Sequence, residues 1–325
     1  MNFYDNSRLK DYRKCPRYYL LRHELGLTRE SQAPALGFGL GWHSGMDLIW
    51  KTLTGDLSLT RTCSSLLARL AVDYWKKAMH EHGLDFTSPM YMQREPKRTM
   101  GVAHEMFFNY IQHNIDMIQS YSLVSVERPF AVPLGDLPNT YYIGRLDKEI
   151  ARRGTQDIYI VDHKTTSAYS KAGGFRQDFL ESFSPDPQVD GYAYAAFLRH
   201  GDAFRSVLID AALVHKTEHK FFKIIPVSRT FSNLDAWLWE AEDWVRRIEL
   251  DLERFQESDP SAPYLKAFPK AERCFEFFRS CQFKDLCRFG GNPRAAGDSV
   301  PQGYIYEPWN PFDVNRIQEL GLKEV

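Results

Sequence analysis

The spacing of apolar residues changes character near residue 120. Before that point the pattern is helical. In GFGLGWHSGMDLIWKTL (37–53), Trp42, Met46, Ile49 and Leu53 recur at three- and four-residue steps, which predicts a helix despite the glycines. RTCSSLLARLAVDYWKKAMHEHG (61–83) reads as a second helix, stopped by Gly83. KRTMGVAHEMFFNYIQHNIDMI (97–118) reads as a third, with Met100, Ala103, Phe107, Tyr110 and Ile111 on one side. After it come β-branched and aromatic runs bounded by Gly, Pro and Asp. YSLVSVERPFAVP, YYIGRLDKEI, DIYIVDHKT, FRSVLIDAALVHK and KFFKIIPVS are each predicted to be a strand. PQVDGYAYAAFLRHG is a helix between the third and fourth of these, placed to cross one face of the sheet. A long amphipathic helix over 230–256 follows the last strand. Beyond Pro260 the pattern becomes irregular and bears cysteines, and the last thirty or so residues read as a surface tail.

Composition adds little to this α/β picture and excludes several classes. At 325 residues the chain is long enough for one elaborated domain or two. An apolar share of 43% is that of an ordinary globule, and a formal charge of -1 excludes a uniformly basic coat while leaving room for a local basic stripe. No apolar run approaches a membrane span, and the charged opening MNFYDNSRLKDYRKCPRYY is no signal peptide. A cytoplasmic location is therefore expected, with no structural disulfides.

Candidate chemistry lies where acids interrupt the strands. In GRLDKEI and IYIVDHKTT, Asp147, Asp162 and Lys164 stand among β-branched and aromatic residues. Residues two apart on a strand share a face, so Asp162 and Lys164 look one way and His163 the other. If the two strands form a hairpin, Asp147 comes alongside Asp162. Two carboxylates from adjacent strands suit Mg²⁺ or Mn²⁺, and a nearby lysine can orient water or neutralise a phosphate under attack. The plain alternative is a solvated Asp-x-Lys pair on an exposed strand.

These two stretches resemble the core of the PD-(D/E)XK nuclease superfamily, in particular its RecB-like branch of recombination nucleases, CRISPR-associated iron–sulfur exonucleases and phage exonucleases. Further matches occur in the same order over roughly residues 8–290: His43 in GLGWHSGMDLI, and Gln188 with Tyr192 in QVDGY. The resemblance implies a restriction-endonuclease-like core with a mixed central sheet flanked by helices. It implies a helical region over 1–120, the nuclease core over 121–255, and a C-terminal cysteine segment over 256–325 that closes on the N-terminus. It implies that His43, Asp147, Asp162 and the backbone carbonyl of His163 coordinate the metal. Lys164 then positions or activates the water, and Gln188 and Tyr192 hold DNA or steady the lysine. Glu127, in SVERPF, reads as a structural or surface acid, with a supporting role in the site as the alternative.

The cysteines are the second cluster. Cys274, Cys281 and Cys287 are separated by six and five residues, which is no common zinc spacing. With Cys15 in YRKCPRYYL they resemble the ligand set of the family's iron–sulfur members, which implies a 4Fe–4S cluster pinning the two ends of the chain together. A zinc ion in the same cage is the rival, and buried free thiols are the plainest account, one that suits Cys63.

The expected function is a metal-dependent deoxyribonuclease, an exonuclease on single-stranded DNA or DNA ends, working beside a separate helicase, recombination or CRISPR protein. No phosphate-binding motor motif is present in the chain itself. Arg152, Arg153, Lys171, Arg176, Arg199 and Lys216 are candidate phosphate contacts, and Tyr141, Tyr169, Phe175 and Phe179 candidate stacking platforms. The alternative is a catalytically silent or partner-controlled DNA-binding scaffold.

Overall fold

The computed structural model describes residues 1–29, 33–272, 274–276, 279–296, 299–308 and 310. The chain opens with β1 (Asn2–Tyr4), α1 (Asn6–Lys14), α2 (Pro16–Tyr19) and β2 (Leu27–Arg29). Four helices follow: α3 (Pro34–Gly55), α4 (Ser64–Glu81), α5 (Pro89–Arg94) and α6 (Met100–Gln119). Three longer strands come next, β3 (Tyr121–Pro133), β4 (Thr140–Arg152) and β5 (Ile158–Thr166), then a small hairpin of β6 (Tyr169–Ser170) and β7 (Gly174–Phe175). After α7 (Gln177–Glu181) and α8 (Pro187–His200) the chain returns through β8 (Phe204–Leu213) and β9 (Phe222–Val227) to α9 (Phe231–Glu257). The last described elements are β10 (Phe275–Glu276), β11 (Arg279–Ser280), α10 (Lys284–Phe289) and β12 (Tyr304–Tyr306). The expected surface tail lies partly outside the described residues, which leave out 311–325.

These elements form two compact units. One comprises Gln32–Arg128 and Arg145–Thr230. Its sheet is mixed: β4 pairs antiparallel with β5, β5 parallel with β8, and β8 antiparallel with β9. The parallel step demands a crossover, and the segment carrying α8 supplies it. The central strand β8 is buried almost throughout, as a strand with neighbours on both edges should be. One face of this sheet, through Ile150, Val161, Leu208 and Ala212, shares a core with α3, α4 and α6. The glycines of α3 explain how the helices pack so closely. A Cβ on Gly41 would stand 2.5 Å from the Trp75 ring, and one on Gly45 would stand 2.3 Å from Phe107. Bare backbone at those two turns lets large aromatics from α4 and α6 seat against the helix, and Trp42 stacks on Phe107 at 4.6 Å.

The other unit comprises Met1–Ser31, Pro129–Gly144 and Phe231–Val325. Here β1 runs parallel to the first residues of β4, Asn2 opposite Thr140 through Tyr4 opposite Tyr142. Leu234, Trp237, Ala241, Val245 and Ile248 form the buried stripe of α9, and Trp237 packs edge-on against Tyr142 at 5.0 Å. Tyr12 of α1 donates to Asp251 of α9 at 2.8 Å. Further contacts hold the late segment. Tyr19 stacks on Phe268, Phe283 lies between Tyr18 and Tyr304, and β2 pairs antiparallel with β12. Among the described residues no helix is long and apolar enough to cross a membrane.

The cysteines require a correction. Cys15, Cys274, Cys281 and Cys287 are free and half-buried, and all four border one cavity of about 330 Å³. Yet no three of their sulfurs gather within 4.8 Å of one another; among the described residues only a histidine and two carboxylates make a group of that kind. Burial pushes the Cys281 and Cys287 thiols up. The expected 4Fe–4S cluster is therefore not what this arrangement provides. The early and late segments are held by aromatic packing and the β2–β12 pair instead.

Candidate active site

The β4–β5 pair places the acids. Its last paired position sets Lys148 opposite Val161, and one step further Asp147 and Asp162 face each other across the two strands. On β4 the side chain of Asp147 and that of Lys148 point to opposite faces, and on β5 the same is true of Asp162 and His163. Asp147 is nearly buried and doubly held: its Oδ2 accepts from the His163 backbone N–H at 2.9 Å and lies 3.0 Å from His43 Nδ1. Burial would raise the Asp147 carboxyl, but His43, with His163 and Lys148 behind it, holds it well below the usual carboxylate range. Burial disfavours the His43 imidazolium, and Asp147 outweighs that and raises its pKa.

Asp162 has the opposite balance. Burial pushes its carboxyl up to about 6, with Lys164 pulling it back and Asp147 adding to the rise. Lys164 Nζ stands 3.0 Å from Oδ1 and 2.9 Å from Oδ2, but is aligned to donate only to Oδ1. Oδ2 is buried with no hydrogen bond. Such an atom costs free energy unless something else meets it. Burial works against the Lys164 ammonium, and Asp162 more than restores it, so its pKa is raised. Nζ also donates to Gln188 Oε1 at 2.9 Å, and Gln188 Nε2 donates to the Tyr192 hydroxyl at 3.1 Å. Gln188 and Tyr192 are one turn apart on α8. The start of α8 is set by Asp186, whose carboxylate accepts from the backbone N–H of Gln188 and Val189, and by Pro187 in the first turn.

Glu127 of β3 completes the cluster. With His43 and Asp147 it forms the one group among the described residues whose possible ligand atoms all lie within 4.8 Å of one another. Its backbone is left-handed, with φ of 51°, an uncommon state for a glutamate. Arg145 Nε lies 2.6 Å from its Oε2. Burial raises the Glu127 carboxyl, partly offset by Arg145. An imidazole with carboxylates is a donor set suited to Mn²⁺ or Mg²⁺. With the bare buried oxygen of Asp162 alongside, these residues fit a hard divalent cation.

The structure thus brings together His43, Asp147, Asp162, Lys164, Gln188 and Tyr192 in one unit. It also places Glu127 closer to His43 and Asp147 than the sequence alone indicated. His163 reaches Asp147 through its N–H, while its ring turns into the helical side. There its Nδ1 lies 3.0 Å from Asp210 Oδ2 without hydrogen-bond alignment, and the Tyr110 hydroxyl donates to the same carboxylate. Burial lowers the His163 pKa. Lys148, with no exposed side-chain surface, is paired with Asp47 of α3 at 2.6 Å. This buried layer behind the site was missed in the sequence. Its signals were an aspartate inside the apolar run of β8 and a lysine next to Asp147.

Several candidate DNA contacts have structural partners. Arg199 lies 3.2 Å from the buried Glu149, Arg153 donates to the carbonyls of Gln119 and Thr54, and Arg176 pairs with Asp178. Phe175 is buried in a small cluster with Ala211 and Leu213, against which Tyr169 and Phe179 pack. Lys171 and Lys216 are exposed.

No curated protein matches the chain. A solved structure named "Putative exonuclease", from Eubacterium rectale, is 17% identical, with a TM-score of 0.42, over 76% of this chain and 80% of that one. The model of the PD-(D/E)XK nuclease superfamily matches residues 6–288, a span that holds every residue of the cluster described above, and the chain belongs to that superfamily.

Proposed function

We propose that the protein is a divalent-metal-dependent deoxyribonuclease that hydrolyses phosphodiesters, acting as an exonuclease on single-stranded DNA or DNA ends. A superfamily fold does not by itself make an enzyme, so the reading rests on the site. The observation that carries it is one cluster in which a histidine and carboxylates with metal-ligand spacing adjoin a lysine held by an acid and an amide.

In this reading His43, Glu127 and Asp147 hold the cation, with Asp162 and the backbone carbonyl of His163 available to complete the set. A divalent cation bound there supplies Lewis acidity and lowers the pKa of water. The chain's own residues do the rest. Asp162 and Gln188 fix the Lys164 ammonium at a single point, where it can orient the attacking water and offset charge building on the phosphate. Tyr192 fixes the amide of Gln188 and so its orientation. The hydrogen bond from His163 N–H leaves Asp147 little freedom to rotate, which lowers the cost of organising the site when substrate arrives.

The test is cleavage of end-labelled single- and double-stranded DNA with Mg²⁺, Mn²⁺ or EDTA. Degradation is expected with metal and none with EDTA. Lys164→Ala and Asp162→Ala should each lose about 10²–10⁴-fold in rate with unchanged circular dichroism. Equal cleavage by the parent protein and both variants would refute the assignment.

A further inference from the structure

Arg145 lies two residues before Asp147 on β4, so both side chains rise from the same face of the strand. A guanidinium has five N–H donors in a rigid fork. In Arg145 only Nε is committed, to Glu127 Oε2 at 2.6 Å. The remaining donors have no protein partner among the described residues, and the side chain is 45% exposed. Glu127 is in turn one of the three side chains with metal-ligand spacing, presented from a left-handed position that costs backbone energy. A surface ion pair worth at most about 1 kcal/mol would not need such a backbone.

Charge gives this geometry a use. Fully ionised, Glu127, Asp147 and Asp162 are just balanced by one divalent cation and Lys164, which is already committed to Asp162, leaving no positive charge over for an incoming phosphate. A phosphate approaching this cluster needs a further cation at its edge. Among the described residues Arg145 is the arginine that touches the candidate ligand set and still has open donors on one plane, the shape that matches two phosphate oxygens.

We infer that Arg145 is a phosphate-binding residue of this site: its Nη groups take a substrate phosphate while its Nε holds Glu127 in place. The inference rests on the nuclease reading above and adds a substrate contact to it.

Binding of a labelled single-stranded oligonucleotide tests it, measured with Mn²⁺ in a Lys164→Ala background at 50–200 mM salt. Arg145→Gln should weaken binding roughly 10- to 100-fold and reduce the salt slope by about 0.7, the loss of one phosphate contact. Arg145→Lys should recover part of the affinity, since it keeps the charge without the fork. Arg205→Gln, which removes a comparably exposed arginine paired with Asp157 at the other end of the strands, is the control. Binding by Arg145→Gln equal to that control overturns the inference. So does a loss of Mn²⁺ affinity in DNA-free protein, by calorimetry, as large as the loss of DNA affinity, because Arg145 would then serve only Glu127. Cleavage by the protein with Lys164 and Arg145 intact tests the nuclease reading separately. Failure to cleave, with DNA binding that depends on Arg145, sinks that reading and keeps the phosphate contact. Cleavage with binding indifferent to Arg145 does the reverse.

Discussion

Two aspartates facing each other across β4 and β5 are driven in opposite directions, Asp147 toward permanent ionisation and Asp162 toward protonation near neutrality. Their chemistry is almost identical; the partners differ, a histidine and a backbone N–H for one, a single lysine for the other. Glu149, two residues beyond Asp147, shows what a purely structural acid looks like on the same strand. Its side chain has no exposed surface and is met by Ser125, Arg128, Arg199 and His200. Burial alone would raise its carboxyl, but these partners lower it below the ordinary value. A depressed folded-state pKa means the stabilisation is fully present above the unfolded value and is lost as pH falls through the folded one. Glu149→Gln should therefore cost roughly 1.5–3 kcal/mol in urea denaturation at pH 7. The gap between the two proteins should close as the pH is lowered below about 4.5. A gap that stays constant down to pH 3 would show that the carboxylate charge contributes nothing. Of the residues the structure gathers here, Asp147, Asp162 and Lys164 stood out in the sequence by strand spacing, and His43, Gln188 and Tyr192 only through the family resemblance. Glu127 was not separable from a surface acid, because a left-handed residue within a strand re-aims a side chain in a way that period-two alternation does not anticipate.

At the scale of elements, α3 carries the site's histidine and is also the helix richest in glycine, and its glycines are not equivalent. Gly41→Ala would drive a methyl group into Trp75 and should destabilise the protein by about 1–3 kcal/mol, less what helix propensity returns. Gly39 faces only Thr165 Oγ1, at an ordinary 3.5 Å, so Gly39→Ala should stabilise by about 0.5–1 kcal/mol. Chemical denaturation of the two variants side by side reads the contrast, and matching shifts would mean that close packing is not why Gly41 is bare. The long helices and the strands β3, β4, β5, β8 and β9 were all readable as periodic runs. The short elements β1, β2, β6, β7 and β12 were not, because two or three residues carry no period and exist as strands only through the partner they meet.

Over the whole molecule, the unit that contains the chain's beginning and late segment depends on a few aromatic anchors. Phe283 is fully buried between Tyr18 and Tyr304. Phe283→Ala should cost about 3–5 kcal/mol and open this region to limited proteolysis well below the unfolding temperature of the parent. An unchanged cleavage pattern would place the anchoring elsewhere. Four cysteines in a family-like order implied a metal clip, but order along a chain does not set sulfur-to-sulfur distance, and the thiols border a cavity without forming a compact group.

Residue order alone determined the alternation of helix and strand, the superfamily resemblance and the pairing of Asp162 with Lys164 on one strand face, because each follows from local spacing and side-chain type. Only the tertiary structure decided which carboxylate joins His43 and Asp147, which arginines keep free donors, and which buried charges brace the strands from behind. Those outcomes depend on distances between segments some twenty to a hundred residues apart, set by packing and by one left-handed residue, and neither is written in any local pattern.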